Sequence, residues 1–368
     1  MPAREGDAGW MRVALGLARR GLGRVWPNPA VGCVLVRDGR VVARGWTQPG
    51  GRPHAERVAL DAAGAAARGA TAYVTLEPCS HVGASPPCAA ALIAAGVARV
   101  VAPLEDPDPR VEGSGFAALR AAGIEVVTGC LAEEAAALNA GFLTRVARGR
   151  PRLTLKLAAS LDGRIATAAR ESRWISGPAA RREVHLMRAR SDAVLIGAGT
   201  ARADEPRLDV RDIGLAEARP VRVVVSGGLS LRGDGHLGAT AAAIPLWLCH
   251  HAEADPARRQ AWEERGAVLI EVPFQPDGQL DLSAMLRRLG QRGLTRVLCE
   301  GGGRLAGALL DADLVDEIVT FTAGVAIGDE GVAAVGPMAR RALALAPRFR
   351  LAGFGRVGGD VRAAWVRA

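Results

Sequence analysis

The sequence predicts an α/β protein made of two domains, and three observations carry that expectation. The chain has 368 residues, more than one hydrophobic core usually supports. Short apolar, strand-like runs alternate with amphipathic helical patterns through both halves. Between the halves, a helical pattern ends in "RGRP", residues 148–151, and the boundary read at 149–151 sets the expected domains at 1–148 and 149–368. With 49% apolar and 4% aromatic residues, the composition is that of a globular protein packed with small side chains, and disorder is not expected. The longest apolar runs, such as "AAALIAAGVA", are broken by charge well short of the roughly 18 residues that span a bilayer. No membrane partner is therefore expected. Glu5 and Asp7 lie near the start without a continuous apolar stretch, so a secretory signal is not expected and the cytoplasm is the anticipated compartment.

In the first half, residues 10–21 have a helical pattern, and "AVGCVLVRDGRVVARGW" reads as a strand hairpin. A helix is expected from Pro53, and "TAYVTLEP" follows as a strand. Helices at "PPCAAALIAAG" and "GFAALRAAG" then alternate with strands at "VARVVAPL" and "IEVVTG", and a helix over residues 131–147 closes the half. This order predicts an α/β sandwich with short connections. The second half opens with "RLTLKLAASLDGRIA" as a strand and continues with a helix from Pro178, with Ser176 as its expected cap. Strands at "AVLIG", "VRVVVSG", "PLWLC" and "AVLIEVP", helices near 257–265 and from Asp281, and the strand, glycine turn and helix of "TRVLCEGGGRLAGALL" complete it. A mostly parallel sheet covered on both faces is expected.

The net charge of +9 could attract phosphate, but basic residues are dispersed among acids, as in "ARREVHLMRARSD". A solvated surface with affinity for small phosphorylated molecules is the better reading, and a nucleic-acid partner is not expected. Of 47 basic residues only Lys156 is lysine. Cys33, Cys249 and Cys299 lie in strand-like runs and are read as buried thiols, and Cys130 is left out of the candidate site with them.

The chemistry is concentrated in "HAE", residues 54–56, followed by Pro78-Cys79 and by Cys88. One imidazole and two thiolates leave a fourth zinc position open, the arrangement of a catalytic site. Zinc makes water nucleophilic near neutral pH, and Glu56 could carry a proton from that water to a departing amine. Pro53 and Pro87 suit the first turn of a helix, so His54 and Cys88 are expected at helix N-termini, where a side chain leans over the helix end. The second cysteine follows the first by nine positions rather than three, which disfavours nucleic-acid and free-nucleoside deaminases. In the second half, Gly301, Gly302 and Gly303 between a strand and a helix offer backbone amides to a phosphate.

"WPNPAVGCVLV", "HAE", "GATAYVTLEPCSH", "SPPC" and "AALIAAGVARVVAPLEDPDPRV" resemble the bifunctional riboflavin-biosynthesis deaminase/reductase family. "KLAASLDGRIA", "ESRWISGP", "LIGAGTARADEPRLDVR" and "VLCEGGGRLAGALL" extend the resemblance through nearly the whole chain. It implies a cytidine-deaminase-like α/β sandwich followed by a dihydrofolate-reductase-like α/β domain that uses NADPH. It further implies hydrolytic removal of the 2-amino group from a diaminopyrimidinone ribosylamino phosphate, then reduction of the ribosyl side chain to ribityl. The zinc ligands become His54, Cys79 and Cys88, the proton shuttle Glu56, and Asn28 a base contact; His81 is assigned to the loop or the substrate rather than the metal. Cofactor contacts fall on Ala158, Trp174, Thr200, Asp204, Gly302, Gly303, Arg304 and Leu305, and substrate contacts on Ser172, Arg188, Leu208, Arg211 and Glu300. The two arginines could clamp a sugar phosphate, and Trp174 could wall the nicotinamide. Lys156 is read as orienting Asp162, as touching substrate, or as a lysine retained by chance, and the molecule is expected to be a homo-oligomer, dimer or tetramer. Thr47, Ala84-Ser85 and Ser114 depart from residues common in the family, which motivates an alternative: a reductase whose deaminase half has altered substrate or low activity.

Overall fold

In the first half, period-two alternation sorts the apolar residues onto the two faces of one sheet. The computed structural model describes residues 4–81, 86–215, 217–276, 278–339 and 342–368, and the chain separates into two compact units, 1–149 and 150–368. The first contains strands β1 (Gly32–Arg37), β2 (Arg40–Trp46), β3 (Thr71–Val74), β4 (Arg99–Ala102) and β5 (Glu125–Thr128). They are ordered β2-β1-β3-β4-β5, with β1 antiparallel to β2 and β3 and β3, β4 and β5 mutually parallel. Its helices are α1 (Asp7–Ala18), α2 (Ala55–Ala63), α3 (Cys88–Ala94), α4 (Ser114–Ala121), α5 (Ala132–Leu138) and α6 (Ala140–Arg148).

Val34, Tyr73, Val101 and Val127 face one way and pack with Met11 and Leu15 of α1 and Leu138 of α5. Their neighbours Cys33, Leu35, Val74, Val100 and Val126 face the other way, against Ala59 of α2, Leu92 of α3 and Phe116 and Leu119 of α4. Close approach needs glycine at two points. A Cβ on Gly32 would lie 2.0 Å from the Ala14 carbonyl oxygen, and one on Gly45 would lie 2.2 Å from that of Ala55. The second contact seats the start of α2 directly on β2.

The helix expected over 131–147 is two helices broken at Asn139. That side chain is buried and bonds both backbone groups of Ala30: its Oδ1 accepts from the amide at 3.0 Å and its Nδ2 donates to the carbonyl at 3.1 Å. Tethering Asn139 to the strand entrance wins over helix continuity.

The second unit adds β6 (Arg152–Ala159), β7 (Arg164–Ala166), β8 (Ala193–Gly197), β9 (Val221–Val225), β10 (Leu246–His250), β11 (Val268–Glu271), β12 (Arg296–Cys299), β13 (Glu317–Thr322), β14 (Val332–Ala333), β15 (Phe349–Val357) and β16 (Asp360–Arg367). Nine of these strands form one sheet in the order β11-β10-β9-β8-β12-β6-β13-β16-β15. Every pair from β11 to β13 is parallel, as the alternation of strands and helices predicts, and β16 and β15 continue it antiparallel. The helices are α7 (Pro178–Ala189), α8 (Ala198–Asp204), α9 (His236–Ala239), α10 (Pro256–Glu264), α11 (Leu282–Gln291) and α12 (Gly303–Asp311). Ser176 does not cap α7. Gly177 occupies the cap position, and its amide donates to Asp360 Oδ2 at 2.7 Å. Asp281 does cap α11, accepting from the Ala284 amide at 2.9 Å. Cys33, Cys130, Cys249 and Cys299 are all buried and free.

Candidate active sites

The first site is built from the entrances of α2 and α3. His54 is the N-cap residue of α2 with extended backbone angles, and Cys88 is the first residue of α3 after Pro87 at its cap. The prolines therefore lie outside the first turn: Pro87 is the cap of α3, one step out, and Pro53 precedes the cap of α2, two steps out. An extended cap residue projects away from the helix axis, so His54 can reach the cysteines while Glu56, inside the first turn, comes in from the helix. This geometry removes the angular conflict that a two-residue spacing would impose within a helix.

His54 Nδ1 lies 3.6 Å from Cys79 Sγ and 3.4 Å from Cys88 Sγ. One donor atom from each of the three residues falls within 4.8 Å of the others. A tetrahedral zinc ion about 2.0–2.1 Å from nitrogen and about 2.3 Å from sulfur separates such atoms by about 3.6 Å, so the donor set fits zinc in chemistry and spacing. His81 stands outside the cluster.

Electrostatics agree. A hydrogen bond from Cys88 draws the Cys79 thiol down to about 4, with help from His54 and from the Cys88 amide at 3.4 Å. The same pairing, and then burial, push the Cys88 thiol far above its usual range. A cation bound by the cluster would stabilise both sulfurs as thiolates. Glu56 is 3% exposed, and burial, followed by the charge of Cys79, raises its carboxyl to about 7. A carboxyl near neutrality both accepts and releases protons readily.

Around this cluster, Asn28 Nδ2 donates to the Gly51 carbonyl at 2.9 Å, tying it to the turn that delivers His54. Thr47 is buried and accepts from the Val31 amide at 3.0 Å, a structural position in this chain. Ser114 Oγ lies 2.6 Å from Ser80 Oγ, next to Cys79. Ala84 and Ser85 lie outside the described residues. Sequence reasoning missed Glu77. Its buried carboxylate accepts from the amides of Asp106 (3.0 Å), Gly113 (3.1 Å) and Phe116 (3.0 Å), fixing the loop beside Cys79. The signal was the acid in "LEPC", which was read only as the end of a strand.

The second site lies at the C-terminal ends of the parallel strands. A cavity of about 980 Å³ is lined by Ala158, Ser172, Thr200, Asp204, Glu300 and the turn Gly301 to Leu305. A second, of about 580 Å³, shares Lys156, Ala158, Ser172, Thr200, Asp204 and Glu300 with it and adds Trp174, Arg188, Leu208 and Arg211. Every residue assigned from the resemblance in this half therefore lines one or both cavities. Trp174, however, sits with the substrate candidates rather than the glycine turn. It is 66% exposed, with the Arg181 guanidinium 4.5 Å from its ring centre.

Gly302 caps α12 without a side-chain hydrogen bond, leaving the first-turn amides open to the larger cavity, a fit for a phosphate-bearing dinucleotide. The Gly302 amide itself donates to Thr200 Oγ1 at 3.0 Å. A Cβ on Gly303 would lie 2.3 Å from the Ala333 carbonyl oxygen, so glycine there is set by packing as much as by ligand approach.

Arg188 and Arg211, the two arginines of the expected phosphate clamp, are each paired with an acid. Arg188 directs its fork at Glu300, Nε to Oε1 at 2.6 Å and Nη2 to Oε2 at 2.9 Å, because Glu300, 9% exposed in its side chain, requires a counter-charge. Arg211 pairs with Asp209 at 2.5 Å. Lys156 does not orient Asp162, which accepts from Ser160 Oγ at 2.5 Å and from the Gly328 amide at 2.6 Å. Lys156 faces both cavities with Glu300 as its attractive charge, and burial lowers its pKa.

A three-donor zinc site beside a buried acid, on one chain with a parallel-sheet unit that offers an open helix end to a dinucleotide, defines a fused deaminase and reductase. Comparison with known proteins gives the particular family. Residues 4–103 match the cytidine and deoxycytidylate deaminase zinc-binding region, and residues 151–363 match the RibD C-terminal domain. The riboflavin biosynthesis protein RibD of Escherichia coli is 43% identical over 96% of this chain and 98% of its own. That of Haemophilus influenzae is 40% identical over 97% and 96%. A solved structure of Acinetobacter baumannii RibD superposes with a TM-score of 0.88 at 37% identity, covering 99% of each chain. A Thermotoga maritima structure described as a diaminohydroxyphosphoribosylaminopyrimidine deaminase/5-amino-6-(5-phosphoribosylamino)uracil reductase gives 0.86 at 33% identity, covering 98% of this chain and 99% of its own. The chain belongs to the RibD family of riboflavin-biosynthesis proteins.

Proposed function

We propose that residues 1–148 deaminate 2,5-diamino-6-ribosylamino-4(3H)-pyrimidinone 5′-phosphate by hydrolysis, and that residues 149–368 reduce the deaminated product with NADPH. The observation that carries the reading is the convergence of His54, Cys79 and Cys88 beside the buried carboxyl of Glu56. Zinc bound by these donors supplies a Lewis acid that makes water nucleophilic at neutral pH. Glu56 takes the proton from the attacking water and delivers it to the departing 2-amino group, which leaves as ammonia. Asn28 and the loop held by Glu77 orient the base.

In the second half the open first-turn amides of α12 would hold the dinucleotide's phosphates, and NADPH bound there would supply the hydride that, with a proton from solvent, reduces the opened, imine form of the ribosylamine at C1′ to the ribitylamine. Ser172, Leu208 and Arg211 hold the substrate, and the Arg188–Glu300 pair with Lys156 forms a polar floor. The protein acts in the cytoplasm as a homo-oligomer. The edge strand β15, with Phe354 76% exposed, is the surface that supports this, and light scattering of the purified protein measures it.

The test is ordered addition. Zinc-loaded protein with the diaminopyrimidinone substrate releases ammonia without NADPH, and adding NADPH then starts its oxidation. Absence of ammonia, with oxidation retained when the deaminated intermediate is supplied, would favour the alternative in which only the reductase acts on this pathway.

A further inference from the structure

In the segment between β7 and α7, Ser172 and Trp174 both line the smaller reductase cavity, and the backbone around them is fastened at three points. Arg173 Nη2 donates to the Asp204 carbonyl at 3.0 Å, Arg181 Nη1 to the Ser176 carbonyl at 2.7 Å, and the Gly177 amide to Asp360 Oδ2 at 2.7 Å. The indole of Trp174 is not packed in the same way, being 66% exposed. What lies against it is cationic: the Arg181 guanidinium is 4.5 Å from the ring centre and that of Arg173 is 5.9 Å from it. Arg181 also lines the cavity, and its charge is free for this use. Arg188 is committed to Glu300, and Arg207 and Arg211 share Asp209, whereas Arg181 has no carboxylate partner among the described residues.

We propose that Arg181 is a positioning residue of the reductase half, holding Trp174 as a fixed wall of the smaller cavity. A guanidinium over an indole face is attracted by the ring's quadrupole, and because it is planar it sets the tilt of the ring as well as its place. The hydrogen bond to Ser176 anchors that guanidinium to the segment that carries the ring. The substrate then meets a set surface instead of a side chain free to turn, and Arg181 acts on it through Trp174. The inference rests on the reading that this half reduces the deaminated intermediate, and it adds a residue to which the resemblance gave no role.

The test is a double-mutant cycle in the full chain, read by reduction of supplied deaminated intermediate with NADPH. Arg181→Gln should raise KM for the intermediate about tenfold and change kcat by no more than about twofold. In a Trp174→Leu background the same substitution should change KM by no more than about twofold, because the ring through which it acts is gone. Thermal unfolding of each variant confirms that it is folded. An unchanged KM in Arg181→Gln, or equal losses with and without Trp174, would overturn the proposal, the second outcome making Arg181 independent of the ring. A further readout needs no turnover: acrylamide quenching of Trp174, taken as the difference between proteins with and without Trp174→Leu, should rise in Arg181→Gln. Raised quenching in a chain that does not reduce the intermediate keeps the positioning contact and rejects the proposed reaction. Normal reduction with KM and quenching unaltered in Arg181→Gln rejects the positioning role and keeps the reaction.

Discussion

Glu56 and Arg188 show how burial turns a charged side chain into a chemical or a structural instrument. At Glu56 burial dominates, the charge of Cys79 adds to it and that of His54 opposes it, and the carboxyl rises to about 7. Glu56→Gln keeps the shape and removes the proton carrier. Ammonia release should fall by roughly 10²–10⁴, with zinc content by atomic absorption and reduction of supplied intermediate both unchanged. Arg188 is the opposite case, because its removal strands a buried carboxylate. Arg188→Leu should destabilise the reductase unit by roughly 3–5 kcal/mol in urea unfolding, whereas a simple phosphate anchor would raise KM and leave stability unchanged. Asp7 gives the pH dependence. Its carboxylate receives both terminal nitrogens of Arg99 at 2.8 Å and the Tyr73 hydroxyl at 2.8 Å, and the Arg99 bonds lead in drawing its pKa from 3.8 to about 2. The folded value lies below the unfolded one, so the contribution, roughly 2 kcal/mol, is complete above about pH 4 and disappears as the pH falls through 2. The stability gap between wild type and Asp7→Asn should therefore be full at pH 7 and nearly closed at pH 2.

At the scale of elements, the residues that matter are those letting one piece lie against another. Gly303 must accept the Ala333 carbonyl at its α-carbon, so Gly303→Ala displaces the start of α12 or the segment behind it. NADPH affinity should fall severalfold while ammonia release is unaffected, as measured by separate assays of the two reactions. Strand positions were legible because period-two alternation is a local signal, and the hairpin turn at Asp38-Gly39 is written in the chain, both residues having positive φ. The break at Asn139 was not legible, because its cause is the backbone of Ala30, more than one hundred residues away. Ser176 was misread as the cap of α7 for a similar reason: the cap amide is satisfied by Asp360 from the far end of the chain.

For the whole molecule, two chemistries on one chain predict separable losses. Chelation of zinc should abolish ammonia release and leave NADPH-dependent reduction of supplied intermediate intact, and restoring zinc should recover the first activity alone. The chain by itself determined the α/β class, most of the alternation of strands and helices as far as α12, and the three residues, His54, Cys79 and Cys88, that are proposed as zinc donors. Each of these rests on short-range pattern or on residue types whose chemistry is specific: thiolate and imidazole choose zinc, and glycine after a strand opens a helix end. Only the tertiary structure decided what the charged residues do. It joined Arg188 to Glu300, turned Lys156 toward the cavities rather than Asp162, set Glu77 beneath the metal loop and laid Arg181 over Trp174. Those roles depend on which charges are buried together and which ring or amide lies across a cavity. These are properties of distance and desolvation, and no local stretch of sequence encodes them.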